Sequence, residues 1–533
     1  MTVLAGALVP AAARASDPPR GGELSAYVRA RAADADGAAD IAARGYALAL
    51  AADPRNEVIA IRAFREALSV GDMALARTAL AVLEKSDVAP ADAALLRFAD
   101  HVAARRWDAA RASAVAVGQG PLDFVGPVLN AWLAVETGVG DPLAILGDAE
   151  ENAIARRYSA EARALILIAT GQTEPAKQAL QSMLVADDGA LDLRVAAARL
   201  FAGRGDRRTA RALLAGDDPV AVAQREAIGR GEKADAAFGA STLFVRLAGD
   251  LASADEPSPL VVLLSRAALL LDPRNERATL LLADALSHDG NGERAIALVE
   301  RIGPRSPLRP LADRFRIDIL ERTGETEAAI ALAEQRSSAR GGSAQDARAL
   351  GDLLVSAERF AEAADAYAKA MARDPAGADW VLNLQRGGAL EQAGRFDEAL
   401  PFLRRAVELA PDEPVALNYL GYAQVERRLN LTDAQALLEK ARRLKPGDPS
   451  ITDSLAWAYV QRGQAAKALP LLEQAVVAEP GDVEINEHLG DAYWVTGRRY
   501  EARYAWRAAS VHADEADKAR LATKLERGID LAR

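Results

Sequence analysis

Leu420-Gly421-Tyr422 returns as Leu455-Ala456-Trp457 and again as Leu489-Gly490-Asp491, and the last two triplets are followed by an aromatic residue, Tyr459 and Tyr493. A second set keeps the same step downstream of each triplet: Ala434, Ala441 and Pro446, then Ala468, Ala475 and Pro480, then Ala502 and Ala509 with Trp506 between them. Small, large apolar and aromatic residues recurring about every thirty-four positions describe helix pairs that cannot bury their apolar faces alone and must stack on neighbours. The stretch from Pro414 to Ala509 therefore predicts an all-α protein, an α-solenoid of antiparallel helix pairs, whose business is binding and not chemistry.

The pattern extends upstream. Gly351, Phe360, Ala363, Tyr367, Ala370 and Pro375 form one unit, and Gly387, Gly394, Phe396, Ala399, Leu403, Ala406 and Pro411 form the next. Within a unit the small residue of the first helix and that of the second are expected to face one another: Gly387 with Ala399, Gly421 with Ala434, Ala456 with Ala468, Gly490 with Ala502. That places the axes at the close end of ~8 to 10 Å. The proline after each second helix stops it.

Toward the N-terminus, Gly37, Gly71 and Arg105 lie thirty-four apart and mark turns within pairs, followed by turns near Gly138, at Gly171 and at Gly205. Such turns call for a left-handed backbone, which glycine adopts readily. From Gly205 to Gly290 is 85 residues, two and a half repeats, so an interruption is expected between Gly216-Asp217-Asp218-Pro219 and Gly229-Arg230-Gly231; Gly324 and Glu358 resume the step. The reading is about 13 to 15 repeats, many degenerate: residues 16–230 as an N-terminal block, 231–513 as a C-terminal block, and 514–533 as a capping helix with Ala519, Leu521, Leu525 and Ile529 on one face.

At 533 residues, 50% of them apolar, the chain exceeds what one compact core normally serves, a limit that a solenoid escapes. A net charge of -11 argues against a duplex nucleic-acid partner. The absence of cysteine excludes disulfides, thiolate catalysis, Cys-ligated metals and Cys lipidation. No HExxH, phosphate loop, nucleophile elbow or EF-hand loop occurs, so no metal, cofactor, catalytic residue or small-molecule substrate is expected. His101, His288, His488 and His512 are scattered; His488 sits near Glu487 and Asp491, where a structural histidine is a commoner reading than a metal ligand or pH sensor. Glu150 and Glu151 are adjacent and point in different directions on a helix, as an ordinary charged face does.

Thr2 to Ala12 is a short apolar run, and Ala13-Arg14-Ala15 before Ser16 is a small-x-small cleavage pattern, although no basic segment precedes the run. It predicts a signal peptide over 1–15 and a periplasmic or cell-envelope location, with membrane association only through a partner or an uncleaved N-terminus.

The residues quoted above resemble those of the tetratricopeptide repeat family over most of the chain, most closely from Gly351 to Ala509. The resemblance implies a right-handed superhelix whose first helices line a concave groove for a protein or peptide. On that facing Asn418, Tyr422, Glu426, Asp453, Trp457, Gln461, Glu487, Asp491 and Trp494 point toward the partner. An acidic face carrying aromatics suits a segment bearing Lys or Arg, and Trp and Tyr are frequent hot-spot residues. The alternative is that the tryptophans pack between repeats and the carboxylates form a solvated face. The family's clamp of Lys, Arg and Asn for a terminal carboxylate is not matched here.

Leu417–Tyr422, Ile451–Trp457 and Ile485–Trp494 also resemble a group of proteobacterial envelope proteins that includes a lipoprotein adaptor of a carboxyl-terminal processing protease, although this chain lacks the lipobox cysteine. A non-enzymatic scaffold or adaptor in the envelope, acting with a protease or its substrates, is the function implied. A cytoplasmic co-chaperone-like module is the alternative. A more remote one is an enzyme with its site in residues 206–260, where no nucleophile-base pair is evident.

Overall fold

The structure, a computed structural model, describes residues 21–147, 153–186, 191–216, 218–253 and 258–529. The export pattern over 1–15, the Glu150-Glu151 pair, Asp217 and the last four residues of the tail lie outside them. The described residues form thirty helices and no strand. They fall into two compact units that divide between Ala329 and Ile330.

Local chemistry explains where several of the helices start and stop. Asp379, Asp448 and Asp482 cap the helices Trp380–Gln392, Pro449–Gln461 and Val483–Val495, each carboxylate accepting from a backbone N–H three residues on, at 2.8, 3.0 and 2.8 Å. Pro449 stands in the first turn, where its missing N–H costs nothing. The turns inside pairs are left-handed where the thirty-four-residue step places them: Gly37, Gly71, Arg105, Gly138, Gly171, Gly205, Gly290, Gly324 and Glu358 all have positive φ. Arg105 and Glu358 do so with side chains, at φ 55° and 57°.

In the second unit five helix pairs, from Ala344–Ser356 and Phe360–Arg373 to Val483–Val495 and Arg499–His512, follow in sequence. Within each pair the packing differs in one respect from the facing expected above. The small residue of the first helix meets the large residue of the second, four positions after the small one. A Cβ on Gly351 would lie 2.5 Å from Tyr367, on Gly387 2.6 Å from Leu403, on Gly421 2.7 Å from Leu438 and on Gly490 2.3 Å from Trp506. Ala399, Ala434, Ala468 and Ala502 are fully buried beside them, because a small residue one turn away makes room for the large one.

The first unit is not an open stack. Its apolar core runs without a break from Ala26 to Ile319. Helix Leu260–Leu271 packs on Ala93–Ala103 and on Glu57–Val70, and Ala236–Ala252 packs on Val125–Thr137, Ala93–Ala103 and Ala153–Ala169. Phe244 meets Phe98 edge-on at 6.4 Å, and Phe238 meets Trp132 at 6.1 Å. The irregular segment near residue 230 thus lies inside this unit and brings later helices back against earlier ones. The apolar character of Leu260–Leu271 on nearly every face is the sequence sign of a helix buried all round.

One arginine in that apolar helix makes the closure specific. Arg266 donates from Nε to Leu68 O at 2.7 Å and from Nη2 to Ser69 O at 2.8 Å, and Arg294 donates to Val70 O at 2.7 Å and to Asp40 at 2.5 Å. These are the last carbonyls of Glu57–Val70, which lack partners within the helix. Burial and the nearby Arg294 and Arg301 lower the Arg266 pKa to about 10, which leaves it charged at neutral pH. Gly71, at φ 82°, is needed there because a Cβ would lie 2.8 Å from the Arg266 guanidinium.

Gly421→Val and Gly490→Val are each expected to lower stability by about 1 to 3 kcal/mol through overpacking, read as a shift in chemical denaturation midpoint. Arg266→Met, which keeps the apolar stem and removes both donors, is expected to cost about 1 to 3 kcal/mol in the transition of the first unit.

Candidate functional site

The residues singled out on the inner face belong to three consecutive first helices, Pro414–Glu426, Pro449–Gln461 and Val483–Val495. Two environments result. Tyr422 and Gln461 are half-buried and Glu426 and Glu484 are exposed. Asp453, Trp457, Glu487 and Asp491 are buried, at 4%, 7%, 5% and 3% exposure.

The buried group is organised around His488. Its Nδ1 lies 2.8 Å from Asp453 Oδ2, and its ring stacks on the Trp457 indole at 4.1 Å and 12°. Burial alone would lower its pKa, but the charges of Asp453, Glu484 and Asp491 outweigh that and raise it to about 9. The ring is therefore an imidazolium at neutral pH, a cation against the face of a tryptophan. Trp457 Nε1 donates to Glu426 at 2.5 Å, and the Tyr422 hydroxyl donates to Glu484. Burial together with the Glu484 and Glu426 charges raises the Tyr422 pKa, so the hydroxyl stays a donor.

The other carboxylates are held by the last helix, Glu515–Arg527. Arg520 donates to both Glu487 oxygens at 2.9 and 2.5 Å, and Lys524 reaches Asp491 at 2.6 Å and Glu487 at 2.6 Å. Burial opposes ionisation of Glu487, but Arg520 and Lys524 overcome it and hold its pKa below the ordinary value. For Asp491 burial prevails over Lys524 and the pKa is raised. Asp491 also accepts from Trp506 Nε1 at 2.8 Å. Leu521 is fully buried, and Gly528 lies so close to Trp494 that a Cβ there would come within 1.8 Å of the ring.

The pairing, its period and the left-handed turns agree with what profiles of known repeats detect. The tetratricopeptide repeat family matches residues 348–414 and 454–518, and a second form of the same repeat matches 390–458. Residues 348–518 carry tetratricopeptide repeats. A TPR repeat-containing protein of Pseudomonas aeruginosa is 29% identical over 176 residues, 33% of this chain and 29% of that protein. The Hsp70-Hsp90 organizing protein of Triticum aestivum is 36% identical over 116 residues, 21% of this chain and 19% of that one. This chain thus spans less than a third of the length of either relative. Among solved structures, a thermophilic TPR protein from Thermus thermophilus is 23% identical with a TM-score of 0.31, covering 34% of this chain and all of that one. A tetratricopeptide repeat protein from Parabacteroides merdae is 14% identical with a TM-score of 0.40, covering 48% of this chain and 99% of that one.

In these repeats the inner face is divided by the chain's own tail. Glu487 and Asp491 hold the last helix through Arg520 and Lys524, and Trp494 packs on Trp506 at 5.4 Å beside Gly528. Asp453 and Trp457 build the joint between two repeats around His488. Of the acidic surface expected across all three units, Glu487 and Asp491 in the last one are accordingly covered, because thirty-three residues after each of them the tail places a cation where the next repeat's first helix would stand. Tyr422, Glu426 and Gln461 remain accessible, Gln461 accepting from Arg428 Nε at 3.1 Å; Asn418 is half-buried with its Oδ1 unpaired. Arg520 and Lys524 were not singled out from the sequence, although their spacing around Leu521 puts them on the cap's inner edge.

The His488–Asp453 pair should make the second unit pH-sensitive. A histidine raised from 6.5 to about 9 contributes stability that is fully present below 6.5 and lost as pH rises through about 9. Denaturation midpoints across that window should fall in the wild type, and His488→Gln should be less stable at the acidic end and lack the slope.

Proposed function

We propose that this chain is a non-enzymatic scaffold or adaptor that holds a protein segment bearing Lys or Arg on the accessible inner face of its C-terminal repeats. The observation that carries the reading is the juxtaposition of Tyr422 and Glu426 on one repeat with Glu484 on the next but one, an aromatic ring beside two accessible carboxylates. Exposed carboxylates attract basic groups and disfavour a partner's terminal carboxylate. A half-exposed tyrosine supplies rigid contact area at low entropic cost. The apolar run ahead of Ser16 supports an envelope location for this scaffold, with a protease or its substrate as the kind of partner. Sequencing the N-terminus of the protein recovered from cells tests that location, and an uncleaved N-terminus would count against it.

Trp457 is a poor probe of binding, since its removal would also unstack His488. Tyr422→Ala with Glu426→Lys is the more informative variant. Partner recovery in cells, by crosslinking and pull-down, should fall by about tenfold or more in protein that remains folded. Undiminished recovery from a folded double variant would remove the groove assignment.

A further inference from the structure

The first unit contains a cavity of about 380 Å³, apart from the repeats that the family comparison matches. Its walls come from Ala153–Ala169, Leu191–Gly203 and Ala236–Ala252, completed by residues 274–277 and by Arg309–Arg322. The short helix Pro219–Ala227 touches both Leu191–Gly203 and Arg309–Arg322. The cavity is therefore bounded on that side instead of running on as a groove for an extended chain. Its size is that of a small-molecule site.

The lining is apolar and aromatic, with Trp132, Phe238, Leu165 and Leu243 among its members, and its polar groups are unevenly satisfied. Every acid is engaged: Glu161 with Arg246 at 3.2 Å, Asp192 with Arg277 at 3.3 Å, Asp218 with the Ala221 N–H at 2.8 Å, and Glu276 with the Ser306 hydroxyl. Arg199 and Arg314, both half-buried, and the exposed Arg274 also line the cavity, and none of the three guanidiniums makes a hydrogen bond or salt bridge to a described residue. Gln224 also lines the cavity and is 7% exposed. The surplus of unpaired donors is cationic in a chain whose net charge is -11.

We propose that this cavity binds a small organic acid, a single carboxylate set against Arg199, Arg274 and Arg314 on an apolar body that packs on Trp132 and Phe238, with Gln224 pairing a polar substituent. Guanidinium groups take carboxylates with directional hydrogen bonds. Four acidic residues in the same walls make a monoanion a better fit than a dianion, which they would repel. The site is separate from the face assigned to a protein partner and does not depend on that assignment.

Calorimetric titration of the full chain with indole-3-butyrate, decanoate and indole-3-butyramide tests this. The two acids should bind and the neutral amide should bind about tenfold more weakly or worse. The Arg199→Gln/Arg314→Gln variant should lose a similar factor for the acids, with its melting temperature unchanged. Equal affinity for indole-3-butyrate and its amide would overturn the proposal, as would no binding of either acid at about 1 mM or full affinity in the arginine variant. Binding of the acidic dipeptide N-acetyl-Trp-Glu-amide without binding of the free acids would also overturn it, in favour of a peptide site. The acid-amide comparison needs only the wild type, so a misfolded variant does not decide the outcome.

Discussion

The second unit rests on one contact made five times, a small residue on the first helix of a pair against a large one on the second. Gly351, Gly387, Gly421 and Gly490 leave the space that Tyr367, Leu403, Leu438 and Trp506 occupy, and Ala456 and Leu472 hold the same two places in the fourth pair. The contact sets how near the axes come, and the axial distance sets how the next pair can stack. Interiors are packed too tightly for either partner to change size alone. Gly490 and Trp506 show the coupling best: the ring needs the missing Cβ, and its N–H then reaches Asp491 on the same first helix.

Charge does different work in the two units. In the first, Arg266 and Arg294 carry donors to the bare C-terminal end of a helix about two hundred residues earlier in the chain, so that a long-range closure is secured by groups whose loss would leave buried carbonyls unpaired. In the second, Asp453, Glu487 and Asp491 are buried and their charges are met by His488, Arg520 and Lys524. Buried ion pairs of this kind add little over a well-packed apolar core but are expensive to break. Their effect is to fix which surface the tail covers. The face left open carries Tyr422, Glu426 and Glu484, and its charge is negative.

Much of this was legible before any coordinates. The period located the pairs, and the turn positions fell on left-handed residues, including Arg105 and Glu358, which no glycine marks. The identities of the packing residues followed as well, although the small residue of one helix proved to meet the large residue of the other. The inner-face residues were harder. Facing rules place Asp453, Glu487 and Asp491 toward the groove, but all three are buried, and whether such a carboxylate meets water or a cation depends on a helix whose docking no local rule states. The cavity lined by Arg199 and Gln224 was likewise unreadable, because its walls come from segments more than a hundred residues apart.

The sequence by itself determined the helix pairs, their turns and the close packing within each pair, since these are contacts between residues a few to some thirty positions apart and leave a periodic trace in composition. Only the tertiary structure decided that Leu260–Leu271 returns to Glu57–Val70 and Ala93–Ala103, that the tail closes over Glu487 and Asp491, and that a cavity with unpaired guanidiniums remains in the first unit. Those outcomes turn on which apolar face finds which partner after the repeats have formed, and a choice made once in the chain repeats at no period.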